Sequence, residues 1–237
     1  MRISILGVAT ALMTLSGVAP AATITFNLNS TAQMLAPTGS GFGNAFTYEA
    51  GGLTVVVSAF GSTGTGGALQ TAQLRRFSGG LGVCNQSEGV DCPDGPHATN
   101  NAGGTVDFIL FSFSAAVDPL SITLGWDGGD MDASYWIGSQ TSPAVGGATV
   151  SGLGSLGFGT EFVNNGSSIR TFNVDGGAGR SMLVSAQWGE TNDAFKLKTL
   201  SVSTDIPRDT ADVPEPATLV MMGAGLIGLG LLKKQRG

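Results

Sequence analysis

The side chains able to do chemistry are concentrated in one stretch. Between Arg75 and Asn101 stand Cys84, Glu88, Asp91, Cys92, Asp94, His97, Asn100 and Asn101. Two cysteines eight positions apart, in a chain whose N-terminus directs it to an oxidising compartment, most simply close a disulfide; a redox or metal role for two thiols is the alternative. Such a short loop contributes on the order of 2 to 3 kcal/mol. Glu88, Asp91 and Asp94, and the later group Asp127, Asp130 and Asp132, are oxygen donors of the kind that calcium gathers in sixes to eights. Solvated turn acids are the competing reading of both groups. Asp130-x-Asp132-x-Ser134 lacks the glycine and terminal glutamate of an EF-hand loop.

A hydrolase would have to use His97, the single histidine, and no G-x-S-x-G elbow accompanies it. Catalysis is therefore not expected, and no cofactor is expected beyond the calcium option. His97, Tyr135 and Trp136 are the ligand-binding candidates, the two aromatics as stacking platforms for sugars. Trp126 is in phase with Ile122 and Leu124, which predicts a buried ring. Gly152-Leu153-Gly154-Ser155-Leu156-Gly157 matches a dinucleotide fingerprint in letters only. Its neighbours read neither as a strand nor as a helix, so a loop is expected there.

Composition narrows the class. The chain has 237 residues, 38 of them Gly, with 11 Lys and Arg against 17 Asp and Glu. That balance leaves too little positive charge for a phosphate backbone, so nucleic acid is not an expected partner. Three His and Cys residues do not complete a zinc site without carboxylates. Twelve per cent charged and 42% apolar residues argue against a disordered chain.

The elements that must position these residues are strands. Ile24, Phe26 and Leu28 alternate, as do Ile122, Leu124 and Trp126, and Met182, Val184, Ala186 and Trp188. Val55-Val56-Val57 and the run Phe108 to Phe113 are further strand cores. Between Ala194 and Ser203 the apolar phase changes from Phe195 and Leu197 to Leu200 and Val202, which predicts a β-bulge near Lys198-Thr199. Gly, Asn, Asp and Ser clusters separate the runs. The simplest architecture is all-β over residues 22–203: an antiparallel two-sheet sandwich, jelly-roll-like.

The two ends lie outside that domain. Residues 1–21 read as a signal peptide, with Arg2, an apolar run from Ile3 to Val18 and a small-residue site at Ala19-Pro20-Ala21. Residues 204–212 are a polar linker. After them come Val213-Pro214-Glu215-Pro216, an uncharged apolar segment from Ala217 to Leu232, and Lys233, Lys234 and Arg236. Prolines flanking Glu215 hold the tetrapeptide extended. The apolar segment, about 24 Å as a helix, spans a slightly thinned bilayer. The basic cluster keeps its own side cytoplasmic and the body outside.

In order and position, the parts of 213–237 resemble the tail of the PEP-CTERM family of bacterial surface proteins. The resemblance implies a sorting signal read by an exosortase, a membrane enzyme of bacteria that make exopolysaccharide. Val213 to Pro216 would be the recognition motif and Lys233, Lys234 and Arg236 the basic stop. The route it implies runs through an inner-membrane intermediate to the cell surface or matrix. The body would be structural or adhesive in the exopolysaccharide layer, with a carbohydrate-binding module as the alternative. Phe77 to Cys84 and His97 to Phe113 also resemble a region common in such proteins, in which Gly-Leu-Gly-Val precedes His-x-x-Asp-Asn-x-Gly. Here Asn100 replaces the Asp, and His97, Asn101, Gly103 and Asp107 are retained.

Overall fold

The computed structural model describes residues 22–64, 66–88, 97–127 and 129–204. The chain divides into two units, residues 1–205 and 206–237, and everything described belongs to the first. The signal peptide, Asp91, Cys92, Asp94 and the sorting tail lie outside the described residues. Among the described residues no helix is long and apolar enough to cross a membrane; the segment read as a transmembrane helix, Ala217 to Leu232, is not among them.

The strands are β1 (Thr23–Asn27), β2 (Met34–Pro37), β3 (Ala45–Ala50), β4 (Leu53–Ser62), β5 (Leu69–Thr71), β6 (Gln73–Phe77) and β7 (Gly80–Cys84), then β8 (Thr99–Asn100), β9 (Asp107–Asp127), β10 (Ala133–Gly138), β11 (Phe162–Asn164), β12 (Arg170–Asn173), β13 (Gly179–Ala186) and β14 (Ala194–Ser203). All of these strands pair antiparallel. The expected all-β antiparallel class is present, with one correction: the two expected sheets are a single curled one. The long strand β9 joins them. Its first half pairs with β4 and β13, and its second half with β14 and β12. Pro119 lies where the register with β14 shifts. A proline cannot donate to the ladder, so the strand changes partners there without breaking.

Both halves face one core. Ile122, Leu124, Leu200 and Val202 from one half meet Val55, Val57, Ile109, Phe111, Met182 and Val184 from the other. The first half of β9 is apolar on both faces because both are covered. Phe108 and Leu110 point away from the main core, into a second cluster with Trp136, Leu183, Val145, Leu153 and Phe158. The lid over that face is the stretch holding the short 3-10 helix Val150–Leu156, capped by left-handed Gly157. The G-x-G-x-x-G letters thus build a short 3-10 helix where a loop was expected, with no strand leading into it.

The opposite outer face is built differently. Thr25, Ser201, Ser121 and Asn173 form one cross-strand row on β1, β14, β9 and β12, and Asn27, Thr199, Thr123 and Thr171 form the next. The hydroxyls bond across the strands, Thr25 to Ser201 at 2.9 Å, Thr123 to Thr171 at 2.8 Å and Thr199 to Thr123 at 2.7 Å. The free edge of β1 is blunted by the Gln33 side chain, which accepts from Asn27 N and donates to Thr25 O as a neighbouring strand would.

The predicted bulge is present. From Leu197 to Thr199 on β14 the partner moves only from Leu124 to Thr123, which leaves Lys198 as the extra residue.

Candidate functional site

The Gly79-Gly80 turn between β6 and β7 packs directly on β9 and β14. A Cβ on Gly80 would stand 2.5 Å from Leu197 O, one on Gly82 2.1 Å from His97 O, and one on Gly125 2.1 Å from Gly79 O. Only glycine permits backbone to approach backbone so closely. This packing brings the chemistry-bearing residues of β7, β8 and both ends of β9 to one end of the sheet.

Three polar knots meet there. After β7, Asn85 and Glu88 cap each other's turn: Asn85 Oδ1 accepts from Ser87 N at 2.9 Å and Glu88 Oε2 accepts from Asn85 N at 2.9 Å. The second knot is Asp107, fully buried, whose oxygens accept from Asn85 Nδ2 at 2.9 Å and Asn100 N at 3.1 Å. Burial raises its pKa well above the usual carboxylate range; the Asn85 bond opposes that rise and the nearby Glu88 charge adds to it. The third is Asp193, 1% exposed, which accepts from Asn101 Nδ2 at 2.6 Å and Asp132 N at 3.1 Å. Burial pushes its pKa up to about 6, against the opposing effect of those bonds.

Asp193 gathers an acidic group that differs from the one expected. Asp130, Asp132 and Asp193 bring one carboxylate oxygen each within 4.8 Å of one another. The side chain of Asp127 lies outside the described ones. The three acids are already served by N–H donors. Met131 N and Asn192 Nδ2 donate to Asp130, both at 3.0 Å, and Gly166 N donates to Asp132. The Arg170 guanidinium supplies the opposing charge, its own pKa lowered mainly by burial and held up by Asp132 and Asp130.

The other acids fare differently. Glu88 lies 3.7 Å from His97 Nδ1, an ionic pair when the imidazole is protonated. Cys84 falls within reach of both, but its sulfur is already bonded and no thiol is free among the described residues, so this trio is not a thiolate metal site.

Both predicted stacking residues are corrected. Tyr135 and Trp136 are each 3% exposed. Tyr135 stacks on Phe162 at 5.3 Å within the main core, its hydroxyl accepting from Asp175 N. Trp136 packs on Phe108 at 6.2 Å under the lid. Strand β10 is buried on both faces, which alternation alone does not reveal. Neither ring offers a face to a ligand.

Trp126 behaves in the opposite way. Between Leu124 and Asp127, β9 advances three residues while β14 advances two, so β9 bulges at Gly125-Trp126. Trp126 takes φ +64°, the only non-glycine residue in the left-handed region among those described. Bulge and twist turn the ring out of the phase of Ile122 and Leu124, leaving it half-buried. Lys196 Nζ lies 4.6 Å from this ring and 4.3 Å from that of Phe77, a cation held between two aromatic faces.

The indole forms one wall of a cleft of about 450 Å3, whose other walls include Glu88, His97, Asn100, Asn192 and Asp193. Of the residues singled out from sequence, Glu88, His97 and Asn100 line it, and so does Trp126, whose ring was expected to be buried. Asn192 and Asp193 were missed. The glycines around Trp126, at 125, 128 and 129, were the signal that alternation breaks at this strand end. Asp193 looks like an ordinary turn acid before a strand. The arrangement can present hydrogen-bonding side chains beside an aromatic wall.

No curated protein and no solved structure matches the chain. The family model of the PEP-CTERM protein-sorting motif does, over residues 212–234. That span contains Pro214-Glu215-Pro216 and the apolar segment and ends at Lys234, so the chain carries a C-terminal PEP-CTERM sorting motif.

Proposed function

We propose that this is an exported bacterial surface protein, handed by its tail to an exosortase-type enzyme, with a non-enzymatic β body that is structural or adhesive in the exopolysaccharide layer. The observation that carries the reading is the sorting motif at residues 212–234. The route passes through an inner-membrane intermediate anchored by the apolar segment, with Lys233, Lys234 and Arg236 as the cytoplasmic stop. Glu215, between its two prolines, is a recognition residue.

The body supports an adhesive role by its chemistry. Its rows of Thr, Ser and Asn on one outer face are uncharged and rich in donors and acceptors, suited to polyhydroxylated polymers. From residue 22 to 212, sixteen acids stand against seven bases. That sign disfavours anionic membranes and keeps the protein soluble among surface polymers. A carbohydrate-binding module is the second reading, and the cleft walled by Trp126 favours it.

The test is mass spectrometry of the protein recovered from wild-type and exosortase-deficient cells. A tail lost only when the enzyme is present, and retained after Glu215→Ala, supports the reading. A mature surface protein that keeps residues 213–237 in wild-type cells overturns it.

A further inference from the structure

We propose that the cleft beside Trp126 is a binding site for an uncharged sugar ring, seated against the indole. This deepens the adhesive reading, on which it rests for its biological meaning but not for its chemistry.

The first observation is the backbone. A tryptophan in the left-handed region is strained relative to ordinary strand geometry. The alternation of β9 would have buried the ring without that strain. Instead the bulge at Gly125-Trp126 turns it toward the cleft, as bulges beside binding sites do. The second is the clamp. Lys196 sits against the indole and against Phe77, so the ring is held in a fixed pose before any ligand arrives. A pre-ordered aromatic loses little entropy on binding.

The third is the lining. Asn100, Asn192 and His97 bring amide and imidazole groups, and Glu88 a carboxylate, to the same hollow as the indole. An apolar ring face beside convergent donors and acceptors is what a pyranose requires, with C–H groups on its face and hydroxyls on its rim. About 450 Å3 lies within the range of small-molecule sites.

Charge selects the class. The cleft brings two carboxyl groups, Glu88 and Asp193, while the ammonium of Lys196 is engaged with the two aromatic rings. Uronic-acid, phosphate or sulfate groups would meet repulsion, so the ligand is a neutral sugar.

The test uses the full-length chain in detergent. Neutral gluco- and manno-oligosaccharides and a uronic-acid oligosaccharide of equal length are titrated by calorimetry and by tryptophan emission. Saturable binding of at least one neutral series is expected, tighter than the uronate. Trp126→Asn, which tolerates the left-handed φ, should weaken binding at least tenfold, while Trp126→Tyr stays within about threefold and Trp136→Phe leaves the emission change intact. A measurement on the unaltered protein keeps the test independent of variant folding: bound sugar should slow the oxidation of Trp126 by N-bromosuccinimide, read by peptide mass. No neutral sugar bound, preference for the uronate, unchanged affinity in Trp126→Asn or unprotected Trp126 would each overturn the proposal. None of these outcomes involves the tail, so failure here leaves the sorting reading untouched.

Discussion

Asn101 and Asp193 hold each other by two hydrogen bonds. Asn101 Nδ2 donates to Asp193 Oδ2 at 2.6 Å, and Asp193 N donates back to Asn101 Oδ1 at 2.8 Å. The pair fastens the turn after β8 to the start of β14, and Asp193 Oδ1 extends the link to the backbone before β10 through Asp132 N. The segments that close one end of the sheet therefore share one buried carboxyl.

That carboxyl makes stability depend on pH. Its folded pKa, about 6, lies above the value near 4 of an unfolded Asp. Between those values the folded protein binds a proton that the unfolded chain does not, so folding is favoured by acid and loses stability as pH rises through 6. Asp107, also raised by burial, acts in the same direction. The Asp193 contribution is fully present below about pH 4 and lost above about pH 6. Urea unfolding from pH 4 to 8 should show this decline, and Asp193→Asn should flatten it. A stability that climbs steadily to pH 8 would contradict the assignment.

Much of the fold was readable because its cause is local. Period-two alternation in Ile24-Phe26-Leu28 and the phase change across Lys198-Thr199 each leave a mark in the letters, and both elements formed as expected. Tyr135 and Trp136 misled for the opposite reason. Their burial comes from Phe162 and Phe172 on one side and from Phe108 and the 139–159 segment on the other, partners set by long-range packing. Trp126 misled because a bulge reverses phase without changing composition. The hydroxyl rows are invisible for a related reason: each strand contributes only two or three members, and only register lines up Thr25, Ser201, Ser121 and Asn173.

The bonded sulfur of Cys84 sits at the end of β7, wholly buried. Its expected partner is Cys92, the only other cysteine. A non-reducing digest should yield one peptide joining the two. Reduction, or a paired change of both to Ser, should cost on the order of 2 to 3 kcal/mol. Equal melting with and without reductant would remove the staple from the account.

The acids Asp130, Asp132 and Asp193 are expected to work without a metal, because N–H donors and Arg170 already answer their charge. Melting in excess calcium and in chelator should then differ by no more than about 1 °C. Occupancy at a hundred times Kd would stabilise by about 2.7 kcal/mol, equivalent to several degrees. A shift of that size, lost in Asp130→Asn, would reassign the cluster as a calcium site.

The glycines beneath the cleft give the sharpest structural test. At Gly82 a methyl would meet the His97 carbonyl at 2.1 Å, and at Gly125 it would meet the Gly79 carbonyl at 2.1 Å. Neither obstacle is a flexible side chain that can swing away; relief requires moving β7 or β9 against its neighbour. Gly82→Ala and Gly125→Ala should each cost about 3 kcal/mol or more, in the range of severe overpacking. Gly154→Ala is the control. Its methyl would meet nothing within 4 Å, and its φ lies outside the left-handed region. Removing glycine there restricts the unfolded chain, so the change should be neutral or stabilising by up to about 1 kcal/mol. Chemical denaturation of the three variants distinguishes the cases. Equal effects at 125 and 154 would mean that the β6–β7 turn does not sit on β9 as described, and equal effects at 82 and 154 would mean that β7 does not pack on the His97 backbone.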